Sequence, residues 1–222
     1  MSGIAILAID GPSASGKGSV AQRVAEVLGF AYLDSGALYR LTALAAQQAG
    51  VDWNDEQGVA QVAQSLDVRF ENKLVLLAGQ DVGAVIRSES IGVGASQVAA
   101  FAAVRQALLA RQRAFATKQG LVADGRDMGS VVFPDAQLKI FLTATAEVRA
   151  ERRYQQLIAR GESADLAAIT RDLQSRDERD AARIEAPLRQ WHDALLLETS
   201  ELNLDQVVEC VLSSWKTRMQ SL

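Results

Sequence analysis

Residues 4–19 read Ile-Ala-Ile-Leu-Ala-Ile-Asp-Gly-Pro-Ser-Ala-Ser-Gly-Lys-Gly-Ser, an apolar run that passes directly into a glycine-rich turn. The run from Ile4 to Ile9 is short, unbroken and bounded by turn residues, which is typical of a buried parallel strand. After the turn, apolar residues recur at helical spacing from Val20 to Leu28, and Gly29 ends the pattern. The sequence therefore predicts a strand, a glycine-rich loop and a helix in succession.

The loop between this strand and this helix has the composition of a phosphate-binding P-loop. Its glycines allow backbone N–H groups to face a ligand, and the helix N-terminus adds partial positive charge at the same place. Lys17 can reach the β- and γ-phosphates of a nucleotide as a mobile positive charge. We predict that ATP is bound by Gly11, Pro12, Ser13, Ala14, Ser15, Gly16, Lys17, Gly18 and Ser19.

The loop departs from the usual P-loop pattern at one position. The pattern places Ser or Thr directly after the lysine, whereas here Gly18 intervenes and Ser19 follows. Ser19 is the candidate contact for a nucleotide-bound Mg²⁺, either directly or through water. Because P-loops also serve GTPases and ATPases, the loop alone names no substrate. The guanine-reading pattern of GTPases is not matched, since Asn72 and Lys73 are followed by Val75 where that pattern has aspartate.

Composition indicates a packed globular chain that binds small anions. Apolar residues make up 49% of the 222 residues and charged residues 23%, so a core is expected and disorder is not. A net charge of −4 argues against a surface that grips polynucleotides. Arginines that cluster locally on an acidic chain favour a small anionic ligand in a pocket. We expect no nucleic-acid partner and no membrane partner.

The expected compartment is the cytoplasm. The single cysteine, Cys210, cannot form an internal disulfide, which fits a reducing compartment, and its apolar helical setting predicts a small buried core residue. The first apolar run is too short for a signal peptide or a membrane span. We see no exposed apolar stripe that demands a second copy, so a monomer is expected.

Strands and helices are predicted to alternate along most of the chain. Strands are expected near 30–33, 120–124, 138–143 and 194–198, and helices near 38–48 and 204–218. Asn203 and Gln206 form a capping-box pair at the start of the last helix. Alternating strands and helices predict an α/β fold with a parallel sheet.

Two segments interrupt or extend this pattern. Residues 66–82 show short alternating β segments and turn residues, which predict an antiparallel meander. With flanking helices, this insert is expected to span 60–96, leaving 1–59 and 97–222 as the core. Two charged helices between about 147 and 183 are separated by a turn at 160–163. They could be solvated helix faces, with Asp172, Arg176 and Asp180 as i,i+4 neighbours, but we favour a lid over ATP.

Three polar clusters point to a particular family. They are Asp-Ser-Gly-Ala-Leu-Tyr-Arg at 34–40, a serine- and arginine-containing stretch at 94–105, and Ala-Asp-Gly-Arg-Asp-Met-Gly at 123–129. At these residues the chain resembles bacterial cytidylate kinases, which are P-loop nucleoside-monophosphate kinases. The resemblance runs along nearly the whole chain, including 133–142, 176–180 and 186–188. It implies a three-layer sandwich with a five-stranded parallel sheet, an antiparallel β insert in the acceptor-binding region, a helical lid, and Mg²⁺-dependent transfer from ATP to CMP and dCMP.

The same resemblance implies how cytosine would be recognised. Cytosine offers an exocyclic amino donor and ring acceptors at N3 and O2. The resemblance implies that Asp127 and Ser96 accept from the amine and that Arg105 donates to the ring. Uracil would present a carbonyl to Asp127, and unpaired buried acceptors cost about 1–3 kcal/mol each. CMP is therefore expected to be preferred over UMP.

The resemblance also implies the phosphate and ribose contacts. Arg40, Arg126 and Arg183 are implied to bind the CMP phosphate, with Ser35 nearby, because the planar guanidinium binds phosphate in bidentate fashion. Arg176 and Asp180 are implied to meet the ribose. The predicted catalytic set is Lys17, Arg126, Arg149 and Arg153. Because phosphoryl transfer depends on positioning and charge compensation, no protein nucleophile is expected.

Three other functions compete with this prediction. The first is a kinase for another small acceptor, such as UMP, AMP or shikimate. The second is a P-loop ATPase that binds nucleic acid or a partner protein, which the acidic charge and the absence of an aromatic-basic track disfavour. The third is a catalytically inactive binding module, which the intact Lys17 and the arginine set disfavour.

Overall fold

The computed structural model of the protein describes residues 3–71, 74–183 and 186–221. Asn72 and Lys73, at which the guanine-reading pattern was tested, lie outside the described residues. The chain forms two compact units, Met1–Leu33 with Phe115–Leu222 and Asp34–Ala114. The predicted insert at 60–96 lies within the second unit.

Strands and helices alternate over residues 6–48, and the rest of the described chain includes pairs of successive helices and one run of three strands. The elements are β1 (Ile6–Asp10), α1 (Lys17–Leu28), β2 (Ala31–Asp34), α2 (Ser35–Gln48), α3 (Glu56–Gln64), β3 (Val68–Glu71), β4 (Leu74–Leu77), β5 (Gln80–Asp81), α4 (Glu89–Val98), α5 (Ala102–Arg113), β6 (Leu121–Gly125), β7 (Leu138–Thr143), α6 (Ala146–Ile158), α7 (Leu166–Ala181), β8 (Leu195–Glu198) and α8 (Leu204–Gln220). Short turns of 3₁₀-helix at Val85–Arg87 and of π-helix at Met128–Val132 join some of them.

A five-stranded parallel sheet forms the first unit, in the order β2-β6-β1-β7-β8. The predicted α/β fold and its parallel sheet are therefore confirmed. In the register of the sheet, Asp10 of β1 lies beside Gly125 of β6. The two segments that follow, the glycine-rich loop and the Arg126 turn, consequently leave the sheet at the same edge, where ligands of open α/β sheets bind.

The core of the first unit lies between this sheet and helices α1 and α8. Its buried side chains include Leu7, Val24, Ile140, Val211 and Trp215. Phe30 packs edge-on against Trp215, with ring centroids 5.7 Å apart. Burial on the sheet explains why the strands read as continuous apolar runs.

The expectation that Cys210 is buried is wrong, because Cys210 is exposed. The buried residues of α8 are Val207, Val208, Val211 and Trp215, which form one stripe along the helix. At about 100° per residue, position 210 lies off that stripe. The apolar residues near Cys210 in sequence therefore do not indicate on which face of α8 it lies.

The second unit combines four helices with a small sheet. Strands β3, β4 and β5 pair in an antiparallel meander, as predicted, with Val68 opposite Leu77. Helix α2 packs against α4, and α3 packs against α5. The Trp53 indole donates to the Ala43 carbonyl at 2.9 Å and packs on Gly94, where a Cβ would collide with the ring. No single described helix could span a membrane by length and composition; α4 and α5 together would pass that test, but they are bent by 101°.

Helix boundaries differ from the predictions where a cap was not recognised. Helix α2 begins at Ser35 rather than at Leu38, because the Asp34 carboxylate accepts from the Ala37 N–H at 2.9 Å and caps the helix. At α8 the predicted capping box is confirmed, with Asn203 and Gln206 exchanging hydrogen bonds of 3.0 Å.

Candidate active site

The glycine-rich loop curves tightly between β1 and α1. At Gly11 any Cβ would collide with the backbone carbonyl of Leu142, so only glycine fits there. Gly16 has a φ of 92°, which glycine adopts without strain, and Ala14 has a φ of 59°. This curvature turns the chain from the end of a strand into the N-terminus of α1, the setting in which a P-loop binds phosphate.

Lys17 lies at the first residue of α1, beside the loop. Its ammonium group donates to the Pro12 carbonyl at 3.0 Å, so the side chain folds back along the loop. The nearby Ser15 hydroxyl is buried and has no hydrogen-bond partner among the described residues. A buried hydroxyl of this kind is available for a polar ligand, since leaving it unpaired costs free energy.

Arg126 follows β6 and reaches the loop from the neighbouring strand. Its Nη2 donates to the Ser13 hydroxyl at 2.8 Å, its Nε to the Asp180 carboxylate at 2.8 Å, and its Nη1 to the Gly125 carbonyl at 3.2 Å. Burial lowers the pKa of Arg126, but the charge of Asp180 and its hydrogen bond more than offset burial, so the pKa is raised overall. A permanently charged group is thus held beside the loop.

Asp180, near the end of α7, is the anchor of this arrangement. Its side chain is paired with Arg126 on one oxygen and with Arg183 on the other. Burial raises the pKa of Asp180, but Arg126 and Arg183 outweigh burial and hold the pKa below its usual range. With 3% of its surface exposed, Asp180 does not lie on a solvated helix face, so that alternative is wrong at this position.

Arg149 of α6 makes a second connection between the charged helices and the loop. Its Nη1 donates to the Ser13 carbonyl at 3.2 Å and pairs with Asp177 of α7 at 2.7 Å. Its Nε donates to the Ala144 carbonyl at 3.1 Å. The side chain is buried, so its charge is compensated by Asp177 rather than by water.

A cavity of about 340 Å³ lies on another side of the loop. Arg152 lines it and donates to the Ser15 carbonyl at 3.1 Å and to the Thr199 carbonyl at 2.6 Å. Arg153, which also lines it, donates to Gln156 at 2.7 Å. The remaining lining residues are Ala14, Ser15 and Gly16 of the loop, Ser19 and Val20 of α1, Gln156 and Thr199, and Leu202, Asn203, Leu204 and Val207.

Asp10, the last residue of β1, fixes the turn that follows Arg126. Its buried carboxylate accepts from the N–H groups of Met128 and Gly129, both at 2.8 Å. Burial is the main cause that raises the pKa of Asp10 to about 6, and the charge of Asp127 adds to it. Asp127, the predicted base reader, is itself buried at the start of this turn.

The second unit holds four of the predicted acceptor residues. Ser35 is buried at the first residue of α2, and Arg40 in the same helix donates to the Ile86 carbonyl at 2.8 Å and the Ser88 carbonyl at 3.4 Å. On α4, the Ser96 hydroxyl is buried without a hydrogen-bond partner among the described residues. Arg105 is half-buried on α5.

Sequence comparison decides which family this geometry belongs to. The sequence model of the cytidylate kinase family matches residues 7–217. The chain belongs to the cytidylate kinase family. It is 58% identical to a cytidylate kinase from Chromobacterium violaceum over 98% of both chains. It is 57% identical to one from Bordetella bronchiseptica over 95% of both, and 55% identical to one from Neisseria meningitidis serogroup C over 95% of this chain and 97% of the other.

Membership of the cytidylate kinase family makes the chain a nucleoside-monophosphate kinase, which is a phosphotransferase. A solved structure of an uncharacterized protein from Eubacterium ventriosum has the same fold, with a TM-score of 0.52 over 95% of this chain and 97% of that chain. Its sequence is 13% identical, so this likeness bears on the fold alone.

Within this kinase, the first unit brings together the loop, Lys17 and five of the other predicted residues. Those five are Arg126, Arg149, Asp180 and Arg183, with Arg176 near enough to lower the pKa of Asp180. Sequence reasoning did not find Arg152 or Asp10. One signal was available for Arg152, which lies one helical turn after Arg149 and so on the same face of α6.

The residues around Gly18 fit the Mg²⁺ that kinases of this kind use with ATP. Asp124 of β6 is buried, and its Oδ2 would lie 3.1 Å from a Cβ at position 18, so glycine leaves room for the carboxylate. Tyr32 donates to the same oxygen at 3.5 Å, and Ser19 is exposed one residue further on. The described residues contain no group of three acidic, histidine or cysteine side chains suited to a metal ion. Such a site suits Mg²⁺ that takes most of its ligands from phosphates and water.

Proposed function

We propose that this kinase transfers the γ-phosphoryl group of ATP to CMP and dCMP by direct in-line displacement. The observation that carries the proposal is Arg126, a half-buried and permanently charged side chain hydrogen-bonded to the glycine-rich loop. A guanidinium at this point can neutralise charge on an acceptor phosphate next to the donor phosphates. The loop alone would suit any P-loop NTPase. Arg126 is the feature that favours a kinase with a phosphorylated acceptor.

The loop and the cavity beside it support a binding site for ATP. The backbone amides of residues 11–19 and the ammonium of Lys17 would bind the phosphates, with the Ser15 hydroxyl as an additional donor. The cavity would take the adenosine portion, because its volume and its mixture of apolar and polar lining suit a nucleoside. Arg153 would lie against that portion, and Arg152 would hold the loop in place.

The acceptor contacts are proposed from the family's motif positions and supported by local geometry. Asp127 and Ser96 would accept from the cytosine amine, and Arg105 would donate to the ring. Ser96 suits this role because its buried hydroxyl has no partner within the described part of α4 or its surroundings. The phosphate would be bound by Ser35, Arg40, Arg126 and Arg183, and the ribose by Arg176 and Asp180.

In the transfer step, an oxygen of the CMP phosphate attacks the γ-phosphorus while the bond to the β–γ bridging oxygen breaks, giving CDP and ADP. Lys17, Arg126, Arg149 and Arg153 would offset the charge on the moving group. Ser19 would hold Mg²⁺, directly or through water, and Asp124 would orient a bound water. When bound, the metal ion would supply further charge neutralisation at the β- and γ-phosphates.

Helices α6 and α7 are proposed to act as the lid that closes over ATP. Two observations support this role: Arg149 and Arg152 of α6 contact the loop, and Asp180 of α7 pairs with Arg126, which also contacts the loop. We further propose that the enzyme works as a monomer in the cytoplasm, and light scattering on the purified protein would test the first part.

An acceptor panel tests the proposed activity. Purified protein receives Mg²⁺-ATP with CMP, dCMP, UMP, AMP, shikimate or no acceptor, and ADP release is followed with a coupled assay. We expect rapid turnover with CMP and dCMP and much slower turnover with the others. Preference for UMP, AMP or shikimate would favour a different small-acceptor kinase, and ADP release without any acceptor would favour an ATPase.

A further inference from the structure

Ser13 lies where the buried Arg149 and the half-buried Arg126 meet the glycine-rich loop. Its hydroxyl accepts from Arg126 at 2.8 Å, and its carbonyl accepts from Arg149 at 3.2 Å. Each of these arginines is also paired with a carboxylate of α7, Asp180 for Arg126 and Asp177 for Arg149. The two aspartates are three residues apart, so they lie on one face of the helix. Ser13 is thus joined to α7 through both its side chain and its main chain.

We propose that Ser13 is a positioning residue that couples the binding of ATP to the binding of CMP through Arg126. The inference rests on the proposed function, in which Ser13 belongs to the ATP loop and Arg126 binds the CMP phosphate. Ser13 is the point at which these two roles share a hydrogen bond. Its side chain would act on CMP without touching it.

The donor count of Arg126 shows how this coupling would work. A guanidinium has five N–H donors, and within the described residues three of them are used by Asp180, Gly125 and Ser13. One N–H on Nη1 and one on Nη2 remain for a phosphate. The three bonds fix the plane of the guanidinium, so the direction of the two remaining donors depends on where the Ser13 hydroxyl lies.

Binding of ATP phosphates to the loop amides would restrict the main chain at Ser13 and hence the position of its hydroxyl. Arg126 would then lose less freedom when CMP binds, so CMP binds more tightly. By thermodynamic linkage, CMP must tighten ATP binding by the same factor. Loss of the Ser13 hydroxyl breaks this connection while leaving the Arg126–Asp180 pair in place.

Ser15 provides a matched control in the same loop. Both serines are buried, with 8% of Ser13 and 1% of Ser15 exposed. Only the Ser13 hydroxyl contacts an arginine, since the Ser15 hydroxyl has no partner among the described residues. Alanine at either position removes one hydroxyl from the ATP loop, so a general effect on ATP affinity is common to both variants. Only Ser13→Ala should also weaken the coupling between ATP binding and CMP binding.

The test measures CMP binding by calorimetry with and without saturating Mg²⁺ and β,γ-imido-ATP, an analogue that does not transfer its phosphoryl group. For the wild type, we expect the analogue to lower the Kd for CMP about tenfold, within the usual range of coupling between sites. For Ser13→Ala, we expect this ratio to fall to about twofold or less. Ser15→Ala should keep the wild-type ratio. Circular dichroism and thermal melting confirm that each variant is folded.

Three results would overturn the inference: a wild-type ratio near one, an unchanged ratio in Ser13→Ala, or an equal loss in Ser15→Ala. The reciprocal measurement, analogue binding with and without CMP, must give the same factor. Failure of the wild type to bind CMP at all would instead contradict the proposed function, and the inference would fall with it. The CMP-only titration of the wild type therefore distinguishes the two kinds of failure.

Discussion

Two arginines of the first unit are paired with carboxylates, whereas two arginines of the second unit donate to main-chain carbonyls. In the first unit, Arg126 and Arg149 are paired with the carboxylates of Asp180 and Asp177. In the second unit, Arg40 donates to the Ile86 carbonyl and Arg111 to the Leu66 carbonyl at 2.6 Å. Removing Arg126 leaves the buried Asp180 carboxylate poorly compensated, whereas removing Arg111 leaves a neutral carbonyl group. Stability and activity should therefore fall together when an ion-paired arginine of the site in the first unit is removed.

The largest effect is expected for Arg126→Ala. Without this guanidinium, the buried Asp180 carboxylate loses one of its two arginine partners. The free energy of unfolding should therefore fall by about 3 kcal/mol. The kcat/KM for CMP should fall by about 10³-fold, because the charge at the transferring group is lost. Urea unfolding and steady-state kinetics measure the two quantities. Arg126→Lys is the control, since it keeps the charge and most of the stability but loses the planar guanidinium that binds phosphate in bidentate fashion. A fully stable Arg126→Ala protein would break the comparison between the units.

Lys17→Ala should separate activity from stability within the first unit. Lys17 is half-buried and its ammonium group contacts the Pro12 carbonyl, so we expect a smaller change in the unfolding free energy than for Arg126→Ala. Turnover should fall by about 10²–10³-fold through loss of charge at the β- and γ-phosphates. Lys118→Ala, at an exposed turn, is the matched control and should keep full turnover. Retained turnover in Lys17→Ala would contradict the role of the loop lysine in phosphoryl transfer.

Asp10 gives the stability of the first unit a pH dependence. Because the folded-state pKa is raised to about 6 from 3.8, the folded protein holds this proton more tightly than the unfolded chain. The resulting stabilisation is fully present below about pH 4 and is lost as the pH rises through about 6, a change of up to about 3 kcal/mol. Asp10→Asn has no carboxyl group at this position and should not show this loss of stability. The unfolding free energy of the wild type should therefore decrease relative to that of the variant as the pH rises from about 4 through about 6. Parallel stability curves for the two proteins would show that Asp10 does not titrate there.

Asp127→Ala should reduce base selectivity more than it reduces the rate with CMP. With the carboxylate gone, the UMP carbonyl no longer faces a buried acceptor, so the ratio of kcat/KM for CMP to that for UMP should fall by about ten- to a hundredfold. Asp135→Ala, an exposed aspartate after the same turn, should leave the ratio unchanged. If the ratio of the two kcat/KM values is unchanged in Asp127→Ala, another residue recognises the base.

The smallest effect is expected in the second unit, for Arg40→Ala. Its hydrogen bonds to main-chain carbonyls predict a smaller loss of unfolding free energy than that of Arg126→Ala. The KM for CMP should rise about tenfold through loss of one phosphate contact. Arg69→Ala, an exposed arginine on β3, is the control and should change neither quantity. A stability loss as large as that of Arg126→Ala would show that the two units do not differ.

The sheet and the loop were predictable because their signals are local. Strand β7 was predicted with its observed bounds, since an apolar run between turn residues needs no distant information. The capping box at Asn203 was equally local. The start of α2 was missed because Asp34 was interpreted only as part of an acceptor cluster, although it also caps the helix.

The parts of the candidate site that sequence did not predict depend on long-range contacts. Asp10 binds N–H groups 118 and 119 residues away, and Arg152 reaches Ser15 across 137 residues. No spacing pattern reports such contacts. Burial was also misjudged at Cys210, where neighbours in sequence lie on different faces of the helix.

A crystal structure with Mg²⁺, β,γ-imido-ATP and CMP is the most direct test that Arg126 joins the glycine-rich loop to the acceptor. We expect a phosphate oxygen of CMP within about 3 Å of an Arg126 nitrogen, with the bonds to Asp180 and Ser13 retained. Lys17 should leave the Pro12 carbonyl for the phosphates of the analogue. An Arg126 side chain that contacts neither nucleotide, with both ligands bound, would contradict the account.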